Sequence, residues 1–588
     1  MNWYRRAACL IALSTSVACL PARGADPNKV LHIASPDIET LDPHQFNDSP
    51  SFDVITAIFE GLYEWDYLAS APTLAPVNAA GAPQVSADGL TWTVQLKHGI
   101  YFTDDPAFRG RPRELVAQDA VYSITRFLDP NLRRGGAPVS TDLIVGMRAV
   151  VDAARKSGKL DYDRPIEGLR ALDRYTLQMK LTHVNFPIAE AILNYFLLAR
   201  EVVEAAKGDI RARPVGTGAY RLREWQRGTK IVLEANPTYP TLHFPASNDP
   251  ALAALEKSMQ GRTLPQVGVI DIGIIEEDLP RLLEFERGAL DIVELRAEIA
   301  GRLLVDNKLK PEYVERGIVR HVFPEPYSFT VNFNMDDPLS GGMSKEQVAL
   351  RRAIALGFDR KTLIDVVYNG QALPANQLVP PGVAGYDPSM PPLPYDPAGA
   401  NALLDRFGYK RGADGFRTTP DGKPLTLTMS LRTAAISRET AILWKKNFDA
   451  LGLRSDYRMT PFQDFIKELE AGKYQMYAGG YGGVPSGYAE LWQLDAREPP
   501  TVNAARFRLG EFDRAVDRFM ASPNETGRIA ASRAASEIAA TYVPLIPTIF
   551  RLQNDFVQPW VLGYHKHPYA TYWKYLDLDL ARRQQAQH

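Results

Sequence analysis

The chain has 588 residues, 45% hydrophobic and 23% charged, with 67 Lys and Arg against 69 Asp and Glu and a formal net charge of −2 at pH 7. That length exceeds the ~50–250 residues usual for one domain, so more than one is expected. With no basic run, acidic tail or low-complexity block, nucleic-acid binding has no electrostatic support.

In chain order, the first feature is an export signal. Arg5 and Arg6 lead an almost uncharged apolar run from Ala7 to Leu20, and Ala22 and Gly24 stand at −3 and −1 of a cut before Ala25. The run is too short to span a bilayer and fits a secretory signal over residues 1–24. A lipoprotein signal acylated at Cys19 ranks second, because Ser16 stands three residues earlier where an aliphatic is usual. Loss of Arg5, Arg6 and Arg23 with the signal takes the balance from −2 to −5. Cys9 and Cys19 are the only two cysteines, so the mature chain has no thiol for a disulfide, a metal or a nucleophile. No later segment offers the ~18 consecutive apolar residues that a spanning helix needs.

Strand-like and helix-like segments then alternate, which predicts a mixed α/β architecture. Val30–Ala34 reads as a first strand, and Ile55, Ile58, Phe59 and Leu62 recur at helical spacing. Trp92, Val94 and Leu96 alternate with polar residues as in a half-buried strand. Ala120, Val121, Ile124 and Phe127 return to the helical period, and Leu177, Met179 and Leu181 to the strand period. Val267–Ile275 reads as a buried strand, followed by alternation at Phe329, Val331 and Phe333. Ser344 with Gln347 is a capping box opening a helix through Gly357. Asp359 caps a second helix carrying Leu363, Ile364 and Val367. Segments 374–399 and 408–424 read as loops.

Motifs for catalysis are missing. The chain contains no phosphate-binding Gly-Lys-Ser/Thr loop, no His-Glu-x-x-His and no Gly-x-Ser-x-Gly, although a triad is defined by geometry rather than by order. His565 and His567 are the only close histidine pair and leave a metal site incomplete; they read as surface residues. No metal or cofactor is expected. The most unusual segment is Tyr474–Tyr488, with four tyrosines and five glycines. It reads either as a strand and surface loop or as a place where backbone approaches a ligand closely beside aromatic faces.

The order of motifs resembles the extracellular solute-binding proteins that serve peptide and nickel importers. Glu39-Thr40-Leu41-Asp42-Pro43-His44 and Phe59-Glu60-Gly61-Leu62-Tyr63-Glu64 are similar to the family's opening. Asp88–Val94, Gly99–Phe102 and Ala117–Ser123 follow in family order, then Pro214–Tyr220 with Asn236–Tyr239. Phe333-Asn334, Arg351-Arg352-Ala353, Asp359-Arg360 and Trp560–Gly563 complete the series.

This resemblance implies two lobes that close around a ligand at a hinge. It places lobe I at 25–64, 195–326 and 554–588, an inserted domain at 65–194, and lobe II at 327–553. Gly216 and Gly218 are expected at a sharp turn between lobes. Residue by residue, it implies first-lobe ligand contacts at Asn47, Asp48 and Ser49. On the second lobe it implies an aromatic at Phe462 and a peptide-pairing segment at Gly480, Tyr481 and Gly482. Phe462 can equally be core. Peptide binders of the family carry an aspartate just after that aromatic segment to pair with the ligand's ammonium. Here the stretch is Gly482-Gly483-Val484-Pro485, leaving Asp48 or Glu490 as substitutes, or a modified peptide or another solute as ligand.

The expected protein is therefore a monomeric, non-catalytic periplasmic subunit of an ABC importer. It hands peptides or peptide-like solutes to an inner-membrane permease. A secreted hydrolase, or a sequestering resistance protein on the same fold, is the alternative.

Overall fold

The computed structural model describes residues 24–69, 72–132, 141–247, 249–483, 485–567, 569 and 572–587. The expected signal over 1–24 lies outside these except for Gly24. Three main sheets organise the chain. The first has four strands in the order Asp26–Ser35, Val267–Ile274, Lys230–Ala235, Tyr220–Gln226. Its first pair is parallel, with Leu31 opposite Ile270. Val267, Ile270 and Ile272 are buried to the last atom, as the apolar run in the sequence requires. A second, antiparallel sheet of four strands runs Gln84–Val85, Thr91–Gln95, Thr176–Lys180, Leu169–Asp173. Trp92 and Val94 of the one strand and Leu177 and Met179 of the other share its buried face.

The third sheet has seven strands and is built on two long ones, Val319–Phe333 and Leu545–Val557. These run antiparallel in two stretches, Val319–Pro324 against Val557–Leu552 and Ser328–Asn332 against Phe550–Leu545. The register breaks between Pro324 and Ser328, where Pro324 and Pro326 have no backbone N–H to continue a ladder. At one end the pair adds strand Ile292–Leu295. At the other it adds Met476–Gly482, then Thr426–Arg432 and Arg454–Thr460. The molecule is thus two-lobed, with the two long strands passing from one lobe to the other and a further α/β unit carried on the first lobe.

Local signals read from the sequence operate as physical chemistry demands. The Ser344 hydroxyl accepts from the Gln347 backbone N–H at 3.2 Å, and helix Lys345–Leu356 ends at Gly357. Asp359 Oδ1 accepts from the Thr362 N–H at 2.9 Å, but the helix it caps widens into a π-turn over Leu363–Val367. Helix Pro397–Arg406 begins inside the segment read as loop, capped by Asp396. Gly216 and Gly218 stand against the end of helix Ser49–Ile58. A Cβ on Gly216 would lie 2.1 Å from the Ile58 carbonyl oxygen, and the Gly218 N–H donates to that oxygen at 2.9 Å. Close packing, rather than a positive φ, requires glycine there.

Candidate functional site

A cavity of about 890 Å³ opens beside the break in the long strands, where Phe323, Pro326, Tyr327 and Gln553 form part of its wall. Opposite stand the loop Pro43–Ser49 and the first turns of helix Ser49–Ile58. Asp48 starts that helix. Its Oδ1 accepts from the Ser51 N–H at 2.6 Å and its Oδ2 from the Ser51 hydroxyl at 2.7 Å, while Pro50 fills the first turn, where no amide hydrogen is needed. The cap projects Asn47 and Phe46 into the cavity. An aromatic wall follows, with ring centroids of Phe46 and Phe52 5.4 Å apart, Phe52 and Phe196 6.3 Å, and Phe127 and Tyr195 3.8 Å.

The wall is strongly acidic. Among the described residues, Asp48, Asp53, Glu60, Glu64, Glu294 and Glu325 line the cavity together with Lys566 and Lys574. Both lysines are held within the wall. Lys574 reaches Glu64, and Glu60 at 3.4 Å, and those carboxylates accept from the hydroxyls of Tyr575 at 3.1 Å and Tyr239 at 2.7 Å. Lys566 stands 3.3 Å from Glu294 and 3.6 Å from Asp555, between the rings of Phe323 and Tyr572. Surrounded by carboxylates, its ammonium is held well above the usual lysine range despite burial. Glu325 is bound by Arg551 at 2.6 Å. Asp53 is exposed in the cavity wall, near other acids. Loss of solvent to the surrounding protein raises its carboxyl above the usual range, Glu294, Asp555 and Asp48 add to the shift, and Lys566 opposes it. Its side chain is still accessible to cavity water, which moderates the effect.

The expected contacts divide. Asn47, Asp48 and Ser49 line the cavity. Gly480, Tyr481 and Gly482 form the end of strand Met476–Gly482, opposite Phe329, Ser328 and Tyr327. The space over Gly480 is taken by the Tyr327 ring, which a Cβ would meet at 2.2 Å, and Tyr327 donates its hydroxyl to the Gly480 carbonyl at 2.6 Å. Tyr481 is half-buried against the main core. From this segment the cavity wall takes Gly483, Pro485 and Ser486, the residues just beyond. Phe462 begins helix Phe462–Glu470, is 54% exposed and does not line the cavity.

His565 and His567 are not surface residues. His567 is buried in the cavity wall, where loss of solvation pulls its imidazole down to about 4, and His565 is half-buried. Sequence reasoning also missed the two lysine–carboxylate networks, since Lys574 meets Glu60 across 514 residues. Among the described residues, no three or more His, Cys, Asp or Glu side chains are grouped to hold a metal ion, and no helix is long and apolar enough to cross a membrane.

Two lobes joined by paired strands, with a polar and aromatic cavity at the crossing, define a ligand-enclosing binding protein. The chain belongs to the bacterial extracellular solute-binding proteins, family 5, whose model matches residues 73–497. It is similar to di/tripeptide-binding protein 2 of Pseudomonas aeruginosa, at 26% identity over 549 residues, covering 91% of each chain. Its fold is similar to that of the murein tripeptide-binding protein MppA in its unliganded open form. That match has a TM-score of 0.72 at 22% identity and covers 94% of this chain and 97% of the other. It is also similar to DppA from Helicobacter pylori in complex with the peptide STSA. Here the TM-score is 0.66 at 20% identity, and coverage is 93% and 98%.

Proposed function

We propose that this protein is the periplasmic substrate-binding subunit of an ABC importer. As a monomer it captures peptides or peptide-like solutes between its lobes and presents them, unaltered, to the inner-membrane permease. The observation that carries this reading is the cavity against the broken register at Pro324–Ser328. A rotation about the two long strands there opens or encloses the ligand without disturbing either core. The lobe limits 25–64 with 195–326 and 554–588, 65–194, and 327–553 fit a crossing at those strands. The names of the relatives support peptides as the ligand class, and the family's role as solute binders supports capture rather than chemistry.

Native mass spectrometry of the exported protein tests this reading. Co-purified adducts that fragment as short peptides are expected. Release of cleaved peptide on incubation with a fresh peptide pool, abolished by one substitution in the cavity, would establish a hydrolase instead.

A further inference from the structure

The two long strands present different groups on their two faces. Phe323 and Gln553, directly opposite each other, line the cavity. Alternation along each strand therefore turns Arg320, Val322 and Asn554 to the other face, behind the crossing. Polar side chains join the two lobes there. A hairpin of strands Leu304–Val305 and Lys308–Leu309 is seated on the lobe I core by Leu304 and Leu309. It turns through Asp306 and Asn307 at φ of 49° and 57°. The Asn307 Oδ1 accepts from Gln371 Nε2 at 2.6 Å. Gln371, which falls in the second lobe as proposed above, is 1% exposed and fixed by its backbone. Its N–H donates to the Tyr368 carbonyl at 2.8 Å, and its carbonyl accepts from the Leu552 N–H at 3.0 Å. Arg320 fills the space between. It donates to Gln371 Oε1 at 2.8 Å, to the Asn307 carbonyl at 2.6 Å and to Asn554 Oδ1 at 2.6 Å.

We propose that Asn307, Arg320 and Gln371 form a clasp behind the hinge that opposes closure of the lobes and so lowers the affinity for ligand. The inference rests on the two-lobed capture proposed above. Cleft and clasp lie on opposite faces of the strands about which the lobes turn. With the axis passing through the register break, a rotation that narrows the cleft lengthens distances on the other face. The hairpin and Gln371 then draw apart, and their bonds must be given up. Both short bonds of the Gln371 amide go to lobe I, so closure strands a buried amide unless water enters. A ligand that requires the closed form is bound in proportion to how much of the protein can adopt it. The clasp holds that fraction down and keeps the empty cleft accessible. Every partner named for the guanidinium is neutral, so the restraint depends on hydrogen-bond geometry rather than on charge pairing.

Two variants of the full mature chain test the clasp. Asn307→Gly removes the side-chain acceptor, and glycine keeps the left-handed turn without strain. Gln371→Leu removes both polar ends of the amide at similar size. Small-angle scattering without ligand should give a smaller radius of gyration for each variant than for the wild type. Calorimetry should show trialanine bound about three- to tenfold tighter by each variant. Asn307→Gly should melt close to the wild type, whereas a merely structural hairpin contact would lower the melting temperature and leave radius and affinity unmoved. Should Gln371→Leu fail to fold, Asn307→Gly decides. An unchanged or larger radius, or unchanged or weaker trialanine binding, in folded Asn307→Gly overturns the clasp and leaves peptide capture standing. If no form binds trialanine, that counts against peptide capture, and the radius without ligand decides the clasp alone. A smaller radius in the variants then supports it, and an equal one overturns it.

Discussion

Arg528 donates from Nη2 to Glu190 Oε1 at 2.7 Å, tying helix Glu525–Tyr542 to helix Phe186–Leu193 across 338 residues of sequence. The first helix packs on helix Gly510–Met520 and helix Lys345–Leu356, and its Ser536 hydroxyl accepts from the Leu378 N–H at 3.3 Å. The second belongs with the Trp92 sheet, Phe186 lying 5.5 Å from that ring, and its end supplies Ala191 and Asn194 to the cavity. The pair therefore bridges the two sides between which the ligand is expected to sit.

Replacing Glu190 by Gln should weaken this bridge and shift the population toward wider separation. Affinity for a captured peptide should fall about three- to tenfold, and the radius of gyration with ligand should rise. Both are read from the same samples by calorimetry and small-angle scattering. Unchanged values for both would show that the bridge is incidental.

The Asp42–Arg126 pair is a fixed strut. Both side chains are buried, and the guanidinium donates twice, at 3.0 and 2.7 Å. Burial opposes ionisation, but the hydrogen bonds and charge of Arg126 overcome it and hold the Asp42 carboxyl below its usual range. Its contribution is thus present above the ordinary carboxylate range and is lost as pH falls through the depressed value. Asp42→Asn should cost about 3–5 kcal/mol in urea denaturation by stranding a buried cation. The double variant Asp42→Asn with Arg126→Met should recover part of that.

The aromatic wall and the glycine-flanked tyrosine should separate in their effects. Phe52→Ala removes a half-buried ring from the cavity and should weaken binding by about 1–3 kcal/mol with a smaller loss of stability. Tyr481→Ala removes packing from the core and should lower stability by about 2–4 kcal/mol. Paired melting and binding curves test the contrast.

Glu490, on the short helix Tyr488–Trp492, is fully buried with neither side-chain oxygen hydrogen-bonded. Its carboxyl is raised to about 8 by burial, so the unfolded chain gives up this proton at lower pH than the folded one. Its contribution to stability therefore falls as pH rises from the ordinary carboxylate range to about 8 and is least above that. Glu490→Gln removes the proton from the balance, so the stability difference between variant and wild type should grow in the variant's favour across that window, by a few kcal/mol in order of magnitude. Denaturation at a series of pH values tests it; a flat difference refutes it.

Much of the fold was legible because its signals are local. Alternation at Trp92, Val94 and Leu96, the capping box at Ser344 and Gln347, and the β-branched run from Val267 each depend on neighbours within a few residues. The resemblance supplied the two-lobed plan and led to the cavity loop at Asn47–Ser49. The cleft's charge pattern was not legible. Lys566 and Glu294 stand 272 residues apart, and Lys574 and Glu60 stand 514 apart, with no spacing rule between them. His567 was misread for the same reason, since an isolated histidine carries no local mark of burial. At Gly480 the sequence does not separate the two uses of glycine, and the structure shows the Tyr327 ring packed over it.

Reversible capture of intact peptide between the lobes is the property on which the proposed function stands. Incubating the mature protein with a mixed tripeptide pool, removing unbound material, denaturing the protein and weighing what is released tests it most directly. Tripeptides of unchanged mass, close to one per protein chain, are expected. Release of no peptide, or of cleaved fragments, would contradict it.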